Sequence, residues 1–111
     1  MIRSNRMRRA TVRARRVQSR AQARIRRGPA TLATHAIAAG LGMKAARTVA
    51  ASLRKAAVKL GIVGTAGVAY RKGRARACVR YTRRQVAVIA LAYRPRKPAY
   101  VLAASKLALA A

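Results

Sequence analysis

The side chains of this chain that could do chemistry are almost all cationic. Its 111 residues include 27 Lys and Arg, one His and no Asp or Glu, which gives a formal net charge of +27. Cationic side chains bind anions through charge-assisted hydrogen bonds, whereas glycoside hydrolysis needs paired carboxylates and Mg²⁺ or Ca²⁺ sites need carboxylate oxygens. The composition therefore excludes most enzyme classes, and we expect a non-enzymatic protein without a metal or other cofactor.

Two further residue types carry chemistry, but each occurs only once. His35 has no acidic residue and no second His with which to share a metal ion, so we expect it to be a packing or surface residue. Cys78 has no second Cys and no nearby His, so we expect no disulfide and no thiol chemistry. The evenly spaced Gly61, Gly64 and Gly67 precede no Gly-Lys-Ser or Gly-Lys-Thr motif, which argues against a nucleotide-binding loop.

The first 27 residues are rich in arginine. This segment contains 11 Arg and neither Gly nor Pro. Its few apolar residues are scattered, so we predict a flexible arm that is disordered or loosely helical until it meets a partner. Such a segment is typical of a nucleic-acid-binding arm and also of a mitochondrial transit peptide. A removable presequence does not explain why the rest of the chain also lacks acidic residues, which favours the arm.

Apolar periodicity predicts two helices after this segment. The first, Thr31–Ala39, is short and ends at Gly40-Leu41-Gly42, because glycine adopts the left-handed backbone that stops a helix. The second, Lys44–Leu60, has apolar residues at three and four spacing, and its cations lie mostly off that apolar face. Gly61 stops this second helix.

A cationic β-hairpin is predicted next. Val68–Tyr70 and Ala75–Tyr81 flank a glycine turn at residues 71–73. In the second segment Ala, Val and Tyr alternate with Arg and Cys, and this two-residue period is typical of a half-buried strand.

Two more helices are predicted in the last third of the chain. Thr82-Arg83-Arg84-Gln85 matches a capping box that opens a helix, and Pro95 closes it. Pro98 fits the first turn of a last helix that ends near Ala110. The predicted fold is therefore mainly α with a small β-hairpin, and we expect its four tyrosines to be core aromatics.

The middle of the chain resembles a known family. The run Ile37-Ala38-Ala39-Gly40-Leu41-Gly42, with Thr48-Val49, Leu53, Leu60 and Gly61-Ile62, resembles the winged helix-turn-helix pattern of small DNA-binding regulators. This resemblance covers about residues 31–81, and residues 82–110 are more faintly similar to small helix-turn-helix proteins of actinobacterial phages. Together with the composition of the first segment, it implies a flexible arm at 1–27, a helix-turn-helix with a β-hairpin wing at 28–81, and a helical hairpin at 82–111 that packs on the same domain.

The resemblance also implies which residues would contact DNA. The second helix would enter the major groove, and Arg47 is the first choice for a base contact because a guanidinium matches the O6 and N7 acceptors of guanine. The hairpin and the arm would contact phosphates or a minor groove, which position the protein without specifying sequence. The implied DNA-binding residues are Lys44, Arg47, Thr48, Ser52, Arg54 and Lys55 on the helix, Arg71, Lys72, Arg74 and Arg76 on the hairpin, and Arg8, Arg9, Arg15 and Arg16 in the arm.

Three functions compete at this point. The leading hypothesis is duplex DNA binding by a phage or mobile-element regulator or a DNA-organising factor, in the cytoplasm or the nucleoid. The alternative is a structural protein of a ribosome, in particular a mitochondrial one, that binds rRNA. A third class, a membrane-active or polyanion-condensing peptide, needs no hairpin. No uncharged apolar run reaches the length of a membrane helix, so we expect no membrane partner. The sequence does not indicate an oligomeric state.

Overall fold

Five helices and one β-hairpin make up the part of the chain that the structure describes. A computed structural model describes residues 2–109 and the surroundings of side chains 4–109. In chain order the elements are α1 (Ile2–Arg26), α2 (Leu32–Ala38), α3 (Met43–Leu60), β1 (Thr65–Arg71), β2 (Arg74–Arg80), α4 (Arg83–Ala92) and α5 (Pro98–Leu109). The prediction of a mainly α fold with a small β-hairpin is thereby confirmed.

Local hydrogen bonds place the helix ends where the sequence predicts them. The hydroxyl of Thr31 accepts from the backbone N–H of Thr34 at 3.3 Å before α2 begins. Gly61, with φ of 69°, ends α3 in the left-handed conformation. At the start of α4, the Gln85 N–H donates to Thr82 Oγ1 at 3.2 Å and the Thr82 N–H donates to Gln85 Oε1 at 2.9 Å. The predicted capping box is therefore present.

Residues 2–26 form one continuous helix, in the segment for which the sequence predicts an arm that is disordered or loosely helical. The second half of α1 packs on α2: Ala21 is buried, and the side-chain amides of Gln18 and Gln22 donate to the carbonyl of Ala38 at 3.3 and 3.4 Å. Large apolar residues are few and scattered in α1, and small Ala and polar Gln side chains make this contact instead. Arg, Ala and Gln also have high helix propensity, and no Gly or Pro interrupts them.

The β-hairpin has the predicted turn and a regular register. The pairing of β1 with β2 is antiparallel and closes at Arg71↔Arg74. Lys72 and Gly73 form the turn with φ of 52° and 73°. Positive φ at both central residues is the geometry that matches the twist of a two-residue hairpin.

Both faces of the hairpin are largely exposed, which corrects the expectation of a half-buried strand. Along β2 only Cys78 and Arg80 are partly buried, and they lie on the face opposite to Ala75 and Ala77. The alternating residues in β2 include small alanines that offer little apolar area to bury. The two-residue period in this strand therefore reflects the spacing of its arginines. It does not mark a face that packs on the core.

The base of the hairpin is joined to the helices around Tyr81. Ala30 and Tyr81 form an isolated antiparallel bridge, with N–H to carbonyl distances of 3.0 and 2.8 Å. The buried His35 donates from Nε2 to the carbonyl of Tyr81 at 2.7 Å. Beside it, the Gln85 amide donates to the carbonyl of Val63 at 3.0 Å. The hairpin is thus anchored at its base and exposed at its tip.

One apolar cluster joins α2, α3, α4 and α5. Its largest fully buried apolar side chains are Val49 and Leu53 of α3 and Val86 and Ile89 of α4. Leu107 of α5 belongs to the same cluster. The many alanines around these residues, with no Phe or Trp in the chain, let the helices approach closely.

The tyrosines do not all belong to this core. Tyr81 is buried, and Tyr93 and Tyr100 pack against the cluster, as predicted. Tyr70, however, is 79% exposed near the tip of the hairpin, so its assignment to the core is wrong. It follows that one aromatic ring stands among the hairpin cations.

Two glycines beside the hairpin provide a test of its packing. A Cβ atom at Gly64 would lie 2.5 Å from Val79 Cγ1 and 2.7 Å from the backbone oxygen of Arg80. At Gly67 it would lie 2.9 Å from Nε of the Arg80 side chain, which can move away. We expect Gly64→Ala to lower the free energy of unfolding by about 1–3 kcal/mol and Gly67→Ala to change it by about 0.5 kcal/mol or less.

Urea unfolding of the two variants beside the parent chain measures both effects. The difference between the variants matters more than either value, since the same side chain is added just before β1 at Gly64 and within β1 at Gly67. Equal destabilisation by the two substitutions would contradict the close backbone approach at Gly64.

Candidate nucleic-acid interface

Helix α3 presents its cations on the side that faces away from the core. Its buried residues are Ala46, Val49, Ala50, Leu53 and Ala57. Its exposed residues include five of the predicted DNA-binding residues, Lys44, Arg47, Thr48, Arg54 and Lys55. Because residues three or four apart share a helix face, this spacing divides α3 into an apolar side and a cationic side.

Ser52 lies at the edge of this cationic side. Its side chain is half-buried, and its hydroxyl donates to the carbonyl of Thr48 at 3.5 Å. Burial raises the pKa of Tyr93, and the nearby Ser52 side chain partly offsets that rise. Thr48 makes a similar bond, since its hydroxyl donates to the carbonyl of Lys44 at 3.3 Å, but among the predicted residues of α3 only Ser52 is half-buried.

A groove lies between the start of α2, Arg54 of α3 and strand β2 of the hairpin. Its volume is about 360 Å³, and Arg54 of α3 lines it together with Ala77, Cys78 and Val79 of β2. The cationic side of α3 therefore borders the hairpin at Arg54. The Cys78 thiol lies in the same groove, half-buried.

The hairpin tip holds several cations next to one another. Arg71, Lys72, Arg74 and Arg76 are all exposed, and Arg71 and Arg74 are directly paired across the two strands. Like charges opposite each other destabilise a strand pair. An anion bound between them removes that repulsion, so the tip is suited to hold a phosphate.

Not every hairpin cation is available for a ligand. The Arg80 guanidinium donates from Nη2 to the carbonyl of Val68 at 3.1 Å and covers Gly67. Arg80 was not predicted as a DNA-binding residue, and this internal bond gives it a structural role.

The predicted arm residues lie on α1, and one of them comes close to the start of α3. Arg8, Arg9, Arg15 and Arg16 are exposed. A groove of about 360 Å³ under α1 is lined by Arg15 and, at the start of α3, by its N-cap Gly42 and its first residue Met43. The structure thus brings Arg15 to the α3 N-terminus, while Arg54 lies further along α3 beside the hairpin.

Sequence reasoning missed a second group of cations. Arg26 of α1, Arg83 of α4 and Lys106 of α5 line one open cavity of about 330 Å³, next to His35 and Gln22. These positions are far apart in the chain and form no motif. Only the packing of α1 and α5 on α2 brings them together, and three like charges around a cavity attract anions.

His35 is the buried polar side chain of this region. Burial lowers its pKa below the ordinary value of 6.5, and the positive charges of Arg24 and Arg83 lower it further. The carbonyl of Tyr81 acts in the opposite direction, because it accepts a hydrogen bond from the ring, and the backbone of Ala30 also raises the pKa. His35 is therefore a packing residue, as predicted, and it is neutral in the folded chain at neutral pH.

Neither a cluster of metal-binding side chains nor a membrane-spanning helix is present in the described part of the chain. Within residues 2–109 no three His, Cys, Asp or Glu side chains lie close enough together to hold a metal ion. No described helix combines the length and the apolar composition needed to cross a membrane. Comparison with known protein families, with curated proteins and with solved structures returns no match to this chain.

Proposed function

We propose that this chain is a non-enzymatic DNA-binding protein that places α3 in the major groove of a duplex. The observation that carries this proposal is the division of α3 into a buried apolar side and an exposed side with Lys44, Arg47 and Lys55. A major groove about 12 Å wide admits one α-helix, and the first turns of that helix reach the base edges. Lys44 and Arg47 lie in those turns.

The neighbours of α3 support this orientation. Arg15 of α1 lies beside the N-terminus of α3, and the hairpin lies beside Arg54. On a duplex, these two flanks would face the phosphates that border the groove. The Ala30–Tyr81 bridge also adds a short third segment to the base of the hairpin. This arrangement supports the resemblance to the winged helix-turn-helix family.

The charge of the chain supports a polyanionic partner. With no Asp or Glu, its 27 Lys and Arg have no carboxylate side chain to pair with. Binding of phosphates by such cations releases the counterions condensed on DNA, and this release supplies most of the sequence-independent affinity. A regulator or a DNA-organising factor of a phage or mobile element would use both this affinity and the base contacts of α3.

Replacement of Arg47 tests the proposed base contact. After selection of a preferred site from random duplex DNA, we expect Arg47→Gln to weaken binding to that site by about 1–3 kcal/mol and to reduce the preference over random DNA. Lys72→Gln on the hairpin is the matched control, since it also removes one cation. It should weaken both DNAs alike. Equal losses on both DNAs for Arg47→Gln would rule out its proposed role.

A comparison of nucleic acids tests the partner class. Duplex DNA and structured RNA are titrated with the protein at one fixed salt concentration, because affinities at different salt cannot be compared. We expect tighter binding to duplex DNA. A clear preference for RNA would contradict the proposal and would favour the ribosomal alternative.

A further inference from the structure

The arginines of α1 are not distributed evenly around the helix. Six of them recur at intervals of three or four residues, and we call this set the arginine stripe: Arg6, Arg9, Arg13, Arg16, Arg20 and Arg24. Residues at this spacing lie one above another on the same helix face. At a rise of about 1.5 Å per residue, the arginine stripe is about 27 Å long.

Packing of the opposite side of α1 fixes the direction of the arginine stripe. Ala21 is buried, Ile25 is half-buried, and Gln18 and Gln22 bond to the end of α2. With these residues held against α2, the stripe is turned outward. Five of its six arginines are exposed, and Arg24 is half-buried.

The arginine stripe has no partner within the described part of the chain. None of its six guanidinium groups forms a hydrogen bond with another described residue, whereas Arg80 and Arg94 each donate to a backbone carbonyl. Like charges at this spacing on a helix repel one another. The repulsion is relieved when anions at a similar spacing lie against the helix.

We infer that the arginine stripe is a binding surface for the phosphodiester backbone of duplex DNA. One strand of a duplex carries a phosphate about every 3.4 Å along its axis, so a length of about 27 Å of α1 faces about eight of them. A guanidinium binds phosphate through two parallel N–H donors, and exposed arginines on a rigid helix bind with little further loss of backbone freedom. This inference rests on the proposed function, since it takes the bound polyanion to be duplex DNA.

The arginine stripe separates residues that the sequence groups together. Neighbouring residues on a helix are turned by about 100°, so Arg9 and Arg16 belong to the stripe while Arg8 and Arg15 lie on a flank of α1. Arg26 lies on the same flank. The chain therefore offers two sets of three exposed arginines that lie on different faces of one helix.

These two sets define the experiment. The stripe variant is Arg9→Gln with Arg13→Gln and Arg16→Gln, and the flank variant is Arg8→Gln with Arg15→Gln and Arg26→Gln. Each loses three charges from α1. The dissociation constant for random-sequence duplex DNA is measured for the parent chain and both variants over a series of salt concentrations, and far-UV circular dichroism checks the helix content.

We expect the stripe variant to lower the slope of log affinity against log salt by about 2.7, which is about 0.9 per lost phosphate contact. For the flank variant we expect a decrease of about 0.9 or less, because only Arg15 borders α3. Equal decreases for the two variants would overturn the inference, since net charge alone would then explain binding. If a Gln variant loses helix content, Arg→Ala replacement at the same three positions removes the charges with the residue of highest helix propensity, and the same difference between stripe and flank slopes is expected.

Comparing the Arg47→Gln and stripe variants distinguishes a failure of this inference from a failure of the proposed function. Arg47→Gln could leave the preference for the selected site intact while the stripe variant still lowers the salt slope. That result would rule out the proposed base contact of α3 and would support phosphate binding by the arginine stripe. If Arg47→Gln removes the sequence preference while the stripe variant leaves the salt slope unchanged, the inference about the arginine stripe is wrong and the proposed function is not affected. A slope that the stripe variant lowers on duplex RNA but not on duplex DNA would overturn duplex DNA as the partner of the stripe.

Discussion

Raising the salt concentration from about 50 mM to about 200 mM is expected to weaken binding to duplex DNA by about 10³- to 10⁵-fold. The reason is the number of cations that the fold leaves exposed on α1, α3 and the hairpin tip. About eight phosphate contacts, at about 0.9 each, give a slope of log affinity against log salt near −7. No acidic side chain neutralises any of these cations within the protein.

Fluorescence anisotropy of a labelled duplex, titrated at four or more salt concentrations, measures this slope. A hairpin variant with Arg71→Gln, Lys72→Gln and Arg74→Gln should reduce the slope by about 2.7. A parent slope shallower than about −3 would contradict simultaneous contact by α1, α3 and the hairpin, because that value corresponds to about three phosphates.

Acidification below about pH 6.5 is expected to destabilise the DNA-free protein, with His35 as the cause. The folded chain buries the imidazole at 1% exposure and lowers its pKa, so between that lowered pKa and 6.5 only the unfolded chain takes up the proton. The contribution to stability is complete above pH 6.5 and is lost as the pH falls to the folded pKa. The free energy of unfolding falls by at most about 1.4 kcal/mol per pH unit in this window.

The composition leaves His35 as the one side chain expected to change the stability between about pH 4.5 and 7.5. Acid unfolding is ordinarily dominated by carboxylates, and this chain has no Asp or Glu side chain and only one His. Urea unfolding at half-unit pH steps from about 4.5 to 7.5 should show one transition in stability. His35→Gln keeps an N–H donor for the Tyr81 carbonyl but does not titrate, so its stability should not vary over this range.

A direct titration of the ring provides the check if His35→Gln does not fold. The imidazole signals of the parent chain, followed by NMR, should give a pKa below 6.5 while the protein is folded. A value of 6.5 or above would contradict the burial argument, because the charged ring would then be at least as well accommodated in the fold as in water.

The elements that sequence reasoning predicts well are those with a local cause. Thr82 and Gln85 are three residues apart and bond to each other's backbone, so the start of α4 is encoded in four consecutive residues. Gly61 and the Lys72-Gly73 turn depend on the backbone freedom of one or two residues. The face of α3 that carries Lys44 and Arg47 follows in the same way from the three and four spacing of its apolar residues.

The errors have a common physical origin in contacts made between distant segments. Ala21 and Gln22 bury little area in themselves, and α1 packs only because the end of α2 offers a close surface and a carbonyl acceptor. Tyr70 looks like a core aromatic in a chain with few aromatics, but no helix covers the hairpin tip where it lies. In the sequence Ser52 looks free to contact a base, but in the fold its side chain is half-buried and lies near Tyr93, more than forty residues later.

The amino-acid sequence by itself determined the sign of the charge, the lack of acidic chemistry, and the order and ends of the helices from α2 onward, because composition and short-range hydrogen bonds need no tertiary contact. Only the tertiary structure decided that α1 is a packed helix with an outward arginine stripe, that Arg15 meets the start of α3, and that the hairpin is exposed. Those features depend on which surfaces lie close enough to exclude water and share hydrogen bonds. That proximity arises between residues far apart in the chain.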